Sequence, residues 1–160
     1  MVVVRLNMFR WLTVALCASF IAVAATPLHA QESKRLEQML KDTGFSYTTH
    51  NANTWSIEFD RKTLHKFKVI LSTGSDIVVT FAILAKKANI NKTAKMMETL
   101  LTANHEYDYC KIGLDKDGDL FVRVDTQLRT IDSRELKDVI NQVANASEEV
   151  FVKVAASVKK

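Results

Sequence analysis

The densest cluster of candidate metal ligands in the chain is Asp115-Lys116-Asp117-Gly118-Asp119, which has the acidic character of a calcium-binding loop. A loop of the EF-hand type needs glycine at its sixth position for a sharp turn and a bidentate glutamate at its twelfth. Counted from Asp115, those places hold Leu120 and Thr126; counted from Asp117, Phe121 falls on a ligand position. The flanking residues alternate with period two, where an EF-hand requires helices. The cluster is therefore read as a turn, and no metal is expected.

Parity decides which turn. Residues paired across an antiparallel ladder point to the same side of the sheet. A two-residue Asp117-Gly118 turn would pair Leu114 with Phe121 and Ile112 with Arg123, mixing core and solvent. A three-residue loop, Lys116-Asp117-Gly118, pairs Leu114 with Leu120 and Ile112 with Val122, and puts Gly118 at a left-handed position that glycine adopts without strain. The acids thus serve turn geometry and solubility.

The remaining reactive side chains are dispersed. His50, His65 and His105 lie on different elements at no ligand spacing. Cys110 could pair with His105 as a nucleophile, but the hairpin register points its thiol inward beside Ile112, and a buried thiol is inert. No Ser/His/Asp motif, phosphate loop or pair of carboxylates at strand ends stands out. No catalytic residue and no cofactor are expected, and the chain is read as a non-enzyme. The alternative is a small enzyme or ligand-binding protein with a pocket between the sheet and the C-terminal helix.

The elements around these residues follow from periodicity. Ser33 is placed to cap a first helix carrying Leu36, Met39 and Leu40, with Gly44 closing it. Period-two alternation then runs through Phe45, Tyr47 and Thr49, through Trp55, Ile57 and Phe59, and through Phe67, Val69 and Leu71. A fourth strand follows STGSD and is apolar on both faces, with Ile77, Val79, Phe81 and Ile83 alternating with Val78, Ala82 and Leu84. Helical spacing returns at 91 to 104, with Asn91 as the cap and Ala94, Met97, Leu100 and Leu101 on one side. Two further strands, near 107 to 114 and 119 to 125, precede a final helix opened by the capping-box pair Asp132 and Glu135 and expected to exceed 20 residues. The order is α-β-β-β-β-α-β-β-α. Short links between successive strands require antiparallel pairing, so the fold class is α+β, an antiparallel sheet with helices on one face.

Residues 1 to 30 read as a signal peptide. Arg5 and Arg10 precede an apolar run from Trp11 to Ala25 that is short for a membrane span, and Pro27 and Ala30 lead into a polar Gln31. Leu16 before Cys17 argues against a lipoprotein signal. An uncleaved anchor is the alternative. A single domain over residues 31 to 160 is expected, periplasmic or secreted, with no membrane association once the leader is cut. Loss of the two leader arginines lowers the formal net charge from +4 to +2, which implies no nucleic-acid partner. Cys110 is then the sole cysteine, so the core must hold the fold without an internal disulfide.

A partner surface is expected on the outer face of the sheet. If Leu71 pairs with Ile77 across STGSD, that face carries Ile70, Val78, Ala82 and Leu84, apolar surface suited to a second copy of the chain or to a peptide or protein client. A nearby strand edge suits β-augmentation. Lys111 and Arg123, directly opposed on the last hairpin, point to an acidic partner or to neutralisation by Asp125.

The segment ETLLTANHEYDYCKIGLDKDGDLFVRVDTQLRTIDSRELKDVINQVANASEEVF resembles the YbjN-type bacterial family of sensory transduction regulators, whose domain is similar to the type III secretion chaperone fold. Leu100, Leu101 and Asn104 close a helix, a strand leads into the Asp-x-Asp-Gly turn, Leu120 begins the return strand and Asp132 opens the long last helix. The resemblance implies an α+β binding scaffold, dimeric in the chaperone branch and without a cofactor. The combined expectation is an exported, non-enzymatic, protein-binding or chaperone-like regulatory domain that forms a homodimer.

Overall fold

The computed structural model describes residues 28 to 74 and 76 to 159, so most of the leader expected at 1 to 30 lies outside the described residues. The chain forms α1 (Leu28–Asp42), β1 (Thr48–Asn51), β2 (Thr54–Arg61), β3 (His65–Thr73), β4 (Ile77–Ala85), α2 (Ala94–Glu106), β5 (Lys111–Leu114), β6 (Leu120–Gln127) and α3 (Ser133–Val154). The six strands make one antiparallel sheet in the order β1-β2-β3-β4-β6-β5. The α+β class and the element order agree with the periodicity.

Helix boundaries follow their caps. Asp132 accepts from the Glu135 N–H at 2.8 Å and opens the 22-residue α3, which buries Leu136, Val139, Ile140, Val143 and Val150 against the sheet. α2 starts two residues later than the Asn91 cap implies, because the Thr93 hydroxyl accepts from the Met96 N–H at 3.1 Å. α1 already runs from Leu28, so Ser33 lies inside it instead of capping it; its buried hydroxyl bonds the Asn53 side chain. Gly44, at φ +79°, ends α1 as expected.

The last hairpin has the expected register: Leu114 faces Leu120, and Ile112 faces Val122. Gly118 sits at φ +86°, and the Asp115 carboxylate accepts from the N–H groups of Asp117 and Asp119, both at 2.9 Å. Asp119 accepts from the Lys86 ammonium at 2.7 Å and the Lys87 N–H at 2.8 Å, tying the turn to the end of β4. These acids are engaged within the protein.

The β3–β4 register differs from expectation. Leu71 faces Thr80, not Ile77, and Thr73 faces Val78. A shift of three residues is odd, so every β4 side chain changes face. Val78, Ala82 and Leu84 are buried in the core, and Thr80 with them; Ile77, Val79, Phe81 and Ile83 point outward. The smaller set lies inside because α3 packs across β4 and β6, and the helix itself buries Ala144, Ala146 and Ser147. Small residues on both elements let helix and sheet approach closely.

Candidate functional site

With the helices on one face, the other face of the sheet meets solvent. Along its middle, Ile70 on β3 faces Phe81 on β4, and Ile83 on β4 faces Phe121 on β6. Together with Val79 these half-buried side chains form a contiguous apolar strip. Val79, Phe81, Ile83, Phe121, Asp115 and Arg123 line a shallow hollow of about 170 Å³ in it. Of the expected partner-surface residues, the structure places Ile70 and Arg123 here and Lys111 at the border, while Val78, Ala82 and Leu84 belong to the core. The missed residues are Val79, Phe81, Ile83 and Phe121. One signal was available in β6, where Phe121 is apolar at an outward position shared with Arg123 and Asp125.

The strip is bordered by paired charge. Lys111 and Arg123 are opposed as expected, and both reach Asp125: Lys111 Nζ at 2.7 Å, Arg123 Nε at 2.5 Å and Nη2 at 3.1 Å. Burial of Asp125 works to raise its pKa, but the bonds from Arg123 and Lys111 prevail and hold it below the usual carboxylate range. On the opposite border, Glu58 faces Lys68 and Asp60 faces Lys66. Opposite charges thus stand across from one another on both sides of the strip.

The two sheet edges differ. On β5, the Asn104 side chain of α2 donates to the Ile112 carbonyl at 2.6 Å and accepts from the Ile112 N–H at 2.9 Å. This edge is occupied by a carboxamide that reproduces the bonding of a neighbouring strand. β1 is solvent-exposed throughout and pairs only with β2 among the described residues, with an irregularity between Thr49 and Asn51. On the helix side, Met97 and Leu101, one turn apart on α2, are 40% and 72% exposed. Periodicity put them with Leu100 in the core; instead Met96, Leu100 and Ala103 face inward.

No catalytic constellation forms among the described residues. They hold no cluster of three or more His, Cys, Asp or Glu side chains suited to a metal ion. His50 bonds the Ser56 hydroxyl at 2.8 Å. Cys110 is buried, and that burial pushes its thiol up to about 11. A cleft does lie between β6 and α3, lined by Tyr109, Val124, Asp125, Thr126, Glu135 and Asp138; it is acidic, and no histidine, cysteine or lysine lines it to activate a hydroxyl.

The fold is similar to that of known secretion chaperones. The chaperone–effector complex of HopA1 and SchA matches with 13% identity and a TM-score of 0.55, covering 74% of this chain and 94% of the other. The Yersinia pestis type III secretion chaperone SycH, solved with a fragment of YscM2, matches with 16% identity and a TM-score of 0.54, covering 74% and 98%. YbjN from E. coli matches with 13% identity and a TM-score of 0.54, covering 77% and 90%. At these identities the likeness is one of fold. No curated protein matches the chain in sequence. The family described as "Putative bacterial sensory transduction regulator", YbjN, matches over residues 32–155. The family is described as a regulator, and the two complexes as those of chaperones. The expected resemblance, the antiparallel sheet with its three helices and the long matched span all agree: this chain belongs to the YbjN family.

Proposed function

We propose that this chain is an exported, chaperone-like regulatory domain that binds an extended segment of a partner protein and works as a homodimer. The observation that carries the reading is the apolar strip of Ile70, Val79, Phe81, Ile83 and Phe121 on the sheet face that the helices leave open. Apolar side chains concentrated on a solvent face within a border of paired charge suit a protein partner. The chaperones of similar fold that were solved with protein effectors support the same reading. Met97 and Leu101 supply a second apolar patch, on α2, and the homodimer is assigned to it. The leader-like composition of residues 1 to 30 supports export to the periplasm or beyond.

Two measurements test this. In a holdase assay with reduced insulin as the model client, the protein delays aggregation, and Phe81→Lys abolishes the delay while leaving the circular dichroism unchanged. In sedimentation velocity at tens of micromolar the protein is a dimer, and Leu101→Glu converts it to a monomer. A protein with no effect on aggregation at stoichiometric excess, and strictly monomeric, would sink the proposal.

A further inference from the structure

A second concavity lies away from the sheet face, where the β2–β3 turn meets the end of α3. It is about 560 Å³ and is lined by Lys62, Thr63, Leu64, His65, Phe151, Ala155, Val158 and Lys159. Its floor is apolar, formed by Leu64, Phe151, Ala155 and Val158. Its rim carries two lysines and a histidine and no acid. Neither Lys62 nor Lys159 has an ion-pair partner among the described residues.

Both walls are fixed. Glu148 on α3 accepts from the Thr63 N–H at 2.7 Å and the Leu64 N–H at 2.8 Å, using one carboxylate oxygen for each. Both oxygens of this carboxylate are thus engaged by the backbone of the turn, in which His65 sits at φ +56°, a left-handed conformation that non-glycine residues seldom adopt. The opposite wall is pinned by a bridge between Val158 and Ile90, with the Lys159 N–H donating to the Asn89 carbonyl at 2.7 Å. A volume of this size, apolar below and polar at the mouth, is in the range of small-molecule sites.

We propose that this concavity binds an amphipathic anion, a molecule with an alkyl tail and a carboxylate or phosphate head. The tail lies on Leu64, Phe151 and Val158, and the head is held at the mouth by Lys62 and Lys159. Unpaired lysines above an apolar floor favour this chemistry over a neutral ligand, which leaves the charges unused, and over a cation, which they repel.

The test uses protein purified after expression of the full chain and titrated calorimetrically with dodecanoate below its micelle concentration. Butyrate supplies the head alone, and dodecyltrimethylammonium supplies the same tail with the charge reversed. The expected result is saturable binding of dodecanoate, with butyrate and the cationic amphiphile at least about tenfold weaker. The surface double variant Lys62→Glu with Lys159→Glu should weaken dodecanoate by at least about tenfold at unchanged thermal stability. NMR shifts should localise to Leu64, Phe151 and Val158. Phosphatidylglycerol vesicles form a second arm: binding to vesicles and to dodecanoate, both lost in the double variant, assigns the same site to a lipid source. Vesicle binding without dodecanoate binding, equal binding of the cationic amphiphile, or indifference to the double variant would overturn the proposal.

Discussion

Asn104 completes the edge of the sheet at Ile112, accepting from its N–H at 2.9 Å and donating to its carbonyl at 2.6 Å with a single carboxamide. The same side-chain nitrogen lies 2.9 Å from the Leu100 carbonyl, so the group is oriented by its own helix as well. The geometry makes Asn104 a joint between α2 and β5, and not merely a polar residue at the end of a helix.

Replacing Asn104 by leucine removes both bonds to Ile112 and the one to Leu100 while keeping the approximate volume. Stability should fall by about 1 to 2 kcal/mol, since water can re-satisfy part of the exposed edge. Urea unfolding gives the loss, and hydrogen exchange should show the Ile112 amide losing protection. Unchanged exchange at Ile112 would mean that the carboxamide does not guard this edge.

Asp119 ties the hairpin turn to the end of β4, and its bonds from Lys86 and then Lys87 hold its carboxyl below the ordinary carboxylate range. A depressed folded pKa contributes stability that is present above the unfolded value and is lost as pH falls through the folded one. Asp125 and Glu148, also depressed, act in the same direction; in Glu148 burial is outweighed by the N–H groups of Leu64 and Thr63. Lys86, raised chiefly by its bond to Asp119, contributes below its unfolded pKa and loses that contribution only in strong alkali. Melting temperature should therefore drop on acidification below the carboxylate range, and Asp119→Asn should show a shallower drop than the parent. Parallel acid limbs would contradict this.

Cys110, its thiol pushed up to about 11 by burial, should be almost wholly protonated at pH 8. Iodoacetamide followed by peptide mass spectrometry should find the Cys110 peptide unmodified in native protein and quickly alkylated in urea. Prompt native alkylation would mean that this part of the core opens readily.

Thr80 is fully buried, and its hydroxyl has no hydrogen-bond partner in a core position between Leu71 and Val124. Valine has nearly the same shape without the polar atom. Thr80→Val should raise stability by about 1 kcal/mol in urea unfolding, and a loss of that size would show that the hydroxyl is satisfied in solution.

Much of this was legible in the residues. Parity alone gave the last hairpin, because Ile112 and Leu114 have one register in which their partners are also apolar. Asp132 announced α3 for a similar reason, since its capping bond is local. The β3–β4 register was not legible, because β4 is apolar on both faces and parity cannot rank two such sets. Only the approach of α3, a contact distant in sequence, selects Val78 and Ala82 for the interior. The β4 part of the apolar strip was misplaced by that one choice. Pairing of Asn104 with Ile112 is also tertiary: ETLLTANHE marks its asparagine as the close of a helix but carries no sign of the strand it bonds.

The inequality of the two sheet edges limits the ways copies of this protein can join. An edge closed by Asn104 has no backbone groups at Ile112 to offer, whereas β1 remains open among the described residues but is short and irregular. A unit with one usable edge has a valence of one. Edge-to-edge pairing through β1 would exhaust it after a single partner, giving a terminated pair and not a growing fibril.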